Sequence, residues 1–376
     1  MAVYKIFPEK DASIYSQFPL LNTGVDQVLD VSTFYNTAGP QVSRFLIKFS
    51  QTEINNLLDT RVGTSSLQTN FRTYISDITG LNADTTLEIY PVSGSWNMGT
   101  GRYPNEPQTQ NGVCWTASLS SNNGFWPTTF QTYATASYQS NNPGGGTWYT
   151  GSALGLDVTA SQVLSYSSNK DLNIDVTNTV LTWYSASNGL GGFTNDGFIV
   201  KQSDSDEFIA DRNYVTTVQY FSIDTHTIYP PQLEVKWDDY VFNTGSNSSS
   251  IIDTSRMVAS LGNNAGTYRR GSIEKFRVNC RPQFPPRVFQ TASIYVTNNY
   301  LPTASYYAIK DLDTNEFVID FDTTYTKMSA DDESSYFTLY MDGLEPERYY
   351  QILVKTNIGG ETLILDDNYY FKVING

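Results

Sequence analysis

Arg44-Phe-Leu-Ile-Lys-Phe49 is a six-residue run of branched and aromatic side chains bounded by turn-forming sequence, the pattern of a β-strand. Residues 86–92 (TLEIYPV), 197–201 (GFIVK) and 232–237 (QLEVKW) repeat it, with apolar residues at every second position. Between them lie loops rich in Asn, Ser, Gly, Thr and Pro. The chain has 376 residues, of which 39% are hydrophobic and only 16% charged; Tyr 27, Phe 20 and Trp 6 bring the aromatic fraction to 14%. Such a chain can bury a core, and its aromatic and β-branched residues suit a pleated surface, whereas Ala-Glu-Lys-Leu helical blocks are nearly missing. The expected class is all-β. At this length, more than one domain is expected.

A formal charge of −15 opposes binding to nucleic-acid phosphates and to anionic membrane surfaces. Cys114 and Cys280 are too few for a disulfide framework and read as reduced, buried thiols. The opening residues lack the apolar core of roughly 7–15 residues that marks a signal peptide, and no apolar run nears the about 20 residues of a membrane span. The expectation is a protein made in the cytosol that stays off the secretory route.

Two or three short helices are expected. Ser50-Gln-Thr-Glu53 is a capping box, followed by Ile54, Leu57 and Leu58 at helical spacing. Asp175-Val-Thr177 reads as an N-cap with Val180, Leu181 and Tyr184 on one face. Residues 243–250 (NTGSNSSS) have no core-forming residue and place a domain boundary after about residue 240. Residues 1–240 then form a large sandwich with a long loop insertion near 116–155, and residues 241–290 an extended connector, because its prolines favour non-sheet geometry. Residues 291–376 form a small sandwich. In it, residues 306–310 and 317–321 flank Asp-Leu-Asp-Thr-Asn-Glu as a hairpin.

Leu344-Glu-Pro346-Glu-Arg-Tyr-Tyr350 resembles the tyrosine corner of fibronectin type III sandwiches, in which a phenol ties a loop to a strand. Residues 10–237 resemble the jelly-roll domain called DNRLRE, related to carbohydrate-binding modules. The order Asp11-Ala-Ser-Ile-Tyr15, Asn22-Thr-Gly24, Arg44-Phe-Leu-Ile-Lys-Phe49, Trp96, Val113-Cys-Trp115, Asp175-Val-Thr177, Trp183, Gly197-Phe-Ile-Val200 and Pro230-Pro-Gln-Leu-Glu-Val235 carries that resemblance. The insertion of residues 121–151 and Asp211-Arg-Asn213 depart from the pattern, so sugar binding does not follow from the fold. Both termini, MAVYKIFPEKDASIY and Asp366-Asp-Asn-Tyr-Tyr-Phe-Lys-Val373, are similar to virion structural proteins of contractile-tailed marine cyanobacterial phages. That resemblance implies a virion part without fixing which part; the leading expectation is a non-enzymatic component of the tail, baseplate or neck, built as a jelly-roll-like sandwich, a connector and a fibronectin-like sandwich. Its partners would be other virion proteins, in many copies of a symmetric assembly. A host-surface glycan, bound by an adhesin, or a role in capsid decoration is the alternative.

Chemistry-bearing residues are sparse. The single histidine, His226, has Asp224 two residues away, a spacing that sets the two side chains parallel on a strand, not end-on as a catalytic base needs. Two cysteines and one histidine show no zinc-ligand spacing. Asp204-Ser-Asp206-Glu207 is the candidate for a structural calcium; no other cofactor is expected. Asp311-Leu-Asp313-Thr-Asn315 opens like an EF-hand, but Glu316 stands where glycine is required. Gly144-Gly-Gly146 and Gly189-Leu-Gly-Gly192 lack a phosphate-loop lysine and read as flexible turns. Aromatics are the functional lead. Trp96 and Trp115 are expected to close the core, with Tyr103 and Tyr133 nearby. Trp126, Trp148 and Tyr149 in the loop insertion, and Tyr268 and Phe284 in the connector, are expected to face partners.

Overall fold

A computed structural model describes residues 2–376 except 38, 64, 82, 105–106, 122, 127–133, 137–143, 208–214, 246–248 and 286–297. The class is all-β, and the chain divides into two compact units. One comprises residues 6–61 and 68–234; the other comprises residues 1–5, 62–67 and 235–376.

In the first unit the opening stretch lies within the central strand Gly39–Phe49 of a large antiparallel sheet. Its neighbours are Pro8–Tyr15, Val28–Asn36 and Phe198–Gln202, and the sheet continues through Thr85–Pro91 to Ala160–Leu164 and through Thr216–Phe221 to Ile75–Thr79. Burial on this strand is continuous from Val42 to Ile47 instead of alternating, because both faces of the sheet are covered. Phe45 and Phe49 point one way, toward Tyr220, Phe71 and Phe198. Val42 and Leu46 point the other way, into a core built around Trp96, Trp115, Trp126 and Trp148. That parity puts Arg44 on the tryptophan side, where it is fully buried. Phe71 comes from Leu67–Thr73, which pairs antiparallel with Leu172–Asp175.

The helix Gln51–Leu57 begins as expected: the Ser50 hydroxyl accepts the Glu53 N–H at 3.4 Å, and Ile54 and Leu57 are buried. In the helix Thr177–Ser187 the N-cap is Val176, while Asp175 accepts from both the N–H and the hydroxyl of Thr177. Its buried stripe is Thr179, Val180, Thr182 and Trp183, not Val180, Leu181 and Tyr184. Trp183 sets the rotation by packing on Phe198 at 4.7 Å, which leaves the Tyr184 hydroxyl outside to donate to Asp59.

The second unit departs from the expected connector. Met257–Leu261, Thr267–Arg269 and Ile273–Pro282 are strands of its two sheets. Ile273–Pro282 pairs with Ser335–Tyr340 on one side and Met257–Leu261 on the other. Pro282 stands only at the end of that strand, so residues 273–281 keep their donors, and Phe276, Val278 and Cys280 alternate inward. The other sheet runs Thr267–Arg269, Glu361–Ile374, Tyr349–Ile358, Ser305–Asp311, Phe317–Ile319. Side chains of both sheets share one core, in which Tyr307 stacks on Phe337 at 4.3 Å and Phe337 on Phe276 at 5.2 Å. The hairpin at Asp311 is present: its carboxylate accepts the N–H groups of Asp313 and Thr314 and pairs with Arg348 at 2.8 Å. The tyrosine corner is also there, with the Tyr350 hydroxyl donating to the Glu345 carbonyl at 2.9 Å.

Candidate functional site

Thr147–Tyr149 is a three-residue strand, so consecutive side chains leave on opposite sides. Trp148 goes inward and is 5% exposed; Tyr149 goes outward and is only half-buried. A chain of buried charge fixes the inward side. Arg44 donates from Nε and Nη2 to both oxygens of Glu207, at 2.9 and 2.6 Å, and from Nη1 to the Gly145 carbonyl at 2.7 Å. Its guanidinium lies 5.1 Å from the Trp115 ring and 5.2 Å from Trp148. Lys201 joins the same group, 3.7 Å from Glu207, 3.2 Å from Glu88 and 2.9 Å from Asp204.

The Gly144–146 segment is therefore a fitted contact and not a flexible turn. All three glycines have positive φ, and a Cβ on Gly145 would stand 2.8 Å from both Arg44 Nη1 and the Trp115 ring. Only a bare backbone can come this close to the stacked guanidinium.

On the outward side Tyr149 stacks on Phe193 at 4.3 Å with 17° between ring planes. Phe193 follows Gly191 and Gly192, both at positive φ, and a Cβ on Gly192 would meet the Thr182 carbonyl at 2.6 Å. Gly192 is likewise a close approach, whereas Gly189 sits in a turn with open space around it. Across from the rings, Leu154 occupies the left-handed region at φ 55° in the turn between Ser152–Ala153 and Leu156–Asp157, and it is 52% exposed. A non-glycine residue held there is an uncommon conformation that the surroundings must maintain. With Val158 and Thr194 these residues enclose an open cleft of about 500 Å³. Burial, reinforced by the charge of Asp196, raises the Tyr149 phenol above its ordinary value and keeps it a neutral donor. The lining offers rings, methyl groups and hydroxyls, a surface suited to seating an uncharged group.

Of the aromatics expected to face partners, Tyr149 lies in this cleft and Phe284 is 72% exposed at the far end of the described connector segment. The structure turns the other three inward. Trp126 is 4% exposed and donates its indole N–H to the Cys114 carbonyl at 3.1 Å; Trp148 stacks on Tyr90 and carries Arg44. Tyr268 lies edge-on to Phe276 and Phe371, its hydroxyl accepting from the Ala265 N–H. Their loop-like sequence hides the reason: large rings cap cores that short strands alone leave open. Trp96 and Trp115 are buried as expected, Tyr103 stacks on Tyr15, and Tyr133 and Asp211-Arg-Asn213 lie outside the described residues.

The expected calcium candidate is occupied differently. Residues Asp204–Glu207 form one helical turn whose carboxylates meet Lys201 and Arg44, while Asp206 accepts the Thr86 N–H. Among the described residues no three of the His, Cys, Asp and Glu side chains are placed to hold a metal ion. His226 is exposed in a bend that follows the strand Thr216–Phe221, not on the strand expected for it. Cys114 and Cys280 are both buried, and burial pushes the Cys280 thiol up to about 12.

A second acidic cluster escaped the sequence reading. Asp11 is 1% exposed and accepts the Ile223 N–H at 2.7 Å. Burial, with the charges of Asp224 and Asp26 added, pushes its carboxyl up to about 8. Asp26, which accepts the Tyr103 N–H, is pushed up to about 6 by burial. The signal available in the sequence is Asp11 itself, an acid leading into Ala12 and Ile14 in the strand Pro8–Tyr15.

No family model and no curated protein matches the chain. Among solved structures it is similar to a DUF4785 family protein from Legionella pneumophila, at 10% identity and a TM-score of 0.16, covering 98% of this chain and 65% of that one. A β-glucuronidase from Parabacteroides merdae shows 9% identity and a TM-score of 0.16, over 96% of this chain and 36% of that one. Likenesses this low carry no argument about function.

Proposed function

We propose that the chain is a non-enzymatic structural component of a tailed-phage virion, in the tail, baseplate or neck, that works by docking to other virion proteins. The observation that carries this reading is the Tyr149–Phe193 cleft. It sets a stacked ring pair and an exposed, conformationally held Leu154 beside hydroxyls, and among the described residues its lining holds no carboxylate, amine or imidazole. Proton transfer needs a titratable group within reach of the reacting atom; the lining supplies the Tyr149 phenol, held neutral by burial and by the charge of Asp196. Here Arg44, Glu207 and Lys201, the buried ionised groups nearest Trp148, are engaged with one another inside the core. The resemblance of both termini to virion proteins supplies the setting, and a cleft that seats an apolar side chain of a neighbour supplies the means.

A glycan-binding adhesin is the second reading, favoured by one observation: the ring wall lies next to the Thr150, Ser152 and Thr194 hydroxyls, a combination that also suits a sugar face. Mass spectrometry of purified particles, disrupted and separated into heads and tails, tests the first reading. The protein is expected in the tail fraction at a fixed ratio to the tail proteins; its loss from both fractions overturns the proposal. Binding to host polysaccharide that disappears in Tyr149→Ala, by a protein missing from particles, would instead establish the adhesin.

A further inference from the structure

Phe284 is held out in solvent by the chain around it. The strand Ile273–Pro282 pairs Pro282 with Met257 and Arg281 with Val258, and the Gln283 N–H donates to the Arg256 carbonyl at 2.8 Å. The backbone is thus fixed up to the residue before the ring. Phe284 itself precedes Pro285, which restricts it to extended conformations. No other phenylalanine among the described residues is as exposed. A fixed, extended segment loses little conformational freedom on docking, so its ring is an anchor prepared in advance.

The charge beside it is local and positive. Residues 256–281 carry Arg256, Arg269, Arg270, Lys275, Arg277 and Arg281 against a single acid, Glu274, in a chain with 38 acidic and 23 basic residues. Lys275 and Arg277 are answered by Asp331 and Glu333. Arg256 and Arg281, at the base of the Phe284 segment, are exposed, and Arg281 donates to the Pro282 carbonyl at 3.3 Å. Neither has a carboxylate within ion-pair distance among the described residues.

The Tyr149–Phe193 cleft is its opposite. The ring wall and Leu154 offer an apolar seat, and carboxylates stand at its margin. Asp157 is paired with Ser152 of the lining and is exposed; the Thr159 N–H and hydroxyl hold its carboxyl below the ordinary carboxylate range. Asp196 accepts from the Thr194 hydroxyl, also of the lining, at 3.1 Å. Lys10 acts on Asp196 from a distance but bonds to the Trp96 carbonyl. Neither aspartate has a cation within ion-pair distance among the described residues.

We infer that Phe284 of one copy of this chain enters the Tyr149–Phe193 cleft of a second copy, with Arg281 and Arg256 set against Asp157 and Asp196. Shape and local charge both name the occupant: a rigid apolar knob flanked by unpaired cations meets an apolar seat flanked by unpaired carboxylates. The inference rests on the reading of the cleft as a docking site, and not on the virion setting. Knob and seat are different surfaces, so the contact is heterologous. Each copy offers its knob to one neighbour and its cleft to another, and the assembly closes into a ring or extends along an axis.

Sedimentation velocity of the full chain across a wide concentration range tests it. Self-association is expected, and salt weakens it. Phe284→Ser removes the knob, and Leu154→Asn alters the seat with a residue that tolerates the left-handed region. Each is expected to weaken association about tenfold or more at unchanged melting temperature. An equimolar mixture of the two variants should recover a dimer, because the first keeps an intact cleft and the second an intact Phe284. A monomer at every concentration overturns the inference. So does association that neither substitution weakens, or that the mixture fails to recover, since a face-to-face dimer would not show complementation. The docking reading of the cleft fails on a separate result: phage particles that incorporate Leu154→Asn as fully as the wild-type chain.

Discussion

Arg44→Met is expected to destabilise the first unit by about 3–5 kcal/mol, the cost of leaving one member of a buried ion pair without its partner. Both side chains of the Arg44–Glu207 pair are fully buried. Methionine fills much of the arginine volume, so the loss is electrostatic: Glu207 loses two hydrogen bonds, Gly145 loses its donor, and the Trp115 and Trp148 rings lose the cation between them. Lys201 at 3.7 Å from Glu207 is too distant to replace a bidentate guanidinium, and Arg44→Lys should recover only part of the loss. Arg44→Met/Glu207→Leu removes both charges and should be far less harmful than Arg44→Met alone, since a well-packed apolar pair can replace a buried ion pair. Urea denaturation checks the series. A loss under about 1 kcal/mol in Arg44→Met would mean that the pair does not organise this core.

The second large effect is a loss of stability at alkaline pH, with its source in Asp11. A carboxyl raised in the folded protein is favoured in its neutral form. Its contribution is fully present below the unfolded value of about 3.9 and is lost as pH rises through the folded value. For Asp26 and Asp11 that window runs through about 6 and then about 8. Because Asp11 is 1% exposed, ionising it in place costs roughly 3–4 kcal/mol between pH 5 and pH 9. The groups facing it reinforce the effect: Asp224 and Asp26 are acids, and the one favourable contact is the Ile223 N–H. Asp30 is also raised by burial, and its bonds from Tyr15 and Gln219 only moderate this. Urea midpoints should therefore fall from pH 5 to pH 9. Asp11→Asn keeps an acceptor for Ile223 and should flatten that fall; equal pH dependence in the two proteins would show that Asp11 is not the titrating group.

What was legible in the sequence was local. Ser50 and Glu53 are three residues apart, Asp311 and Asp313 two, Glu345 and Tyr350 five, and each motif closes its bond without help from elsewhere. The strand at residues 44–49 was equally plain, but its surroundings were not. Whether a strand has one buried face or two depends on what lies across it, and here Arg44 and Glu207 are 163 residues apart. The same distance explains the tryptophans. Trp126 and Trp148 occur in loop-like sequence, yet Trp126 reaches back to Cys114 and Trp148 to Arg44. Glycine was misread for a related cause. Gly144, Gly145 and Gly192 carry the composition of a flexible turn, whereas their role is close approach to Trp115, Arg44 and the Thr182 carbonyl. Pro282, Pro285 and Pro286 suggest extended geometry, whereas the alternation of Phe276, Val278 and Cys280 is what places the strand Ile273–Pro282 in the sheet.

The cleft shows the same division. Tyr149 was visible as an aromatic in a loop, but its partners Phe193 and Leu154 come from separate segments and are joined to it only by the fold. That cleft is the proposed docking place for a neighbouring virion protein. The most direct measurement is a density map of intact, purified phage particles at side-chain resolution. The proposal predicts this chain in the tail, baseplate or neck, with an apolar side chain of another virion protein seated between Leu154 and the Tyr149–Phe193 pair. A map whose tail, baseplate and neck density is fully explained by other proteins, or one that shows the chain in place with the cleft open to solvent, would contradict it.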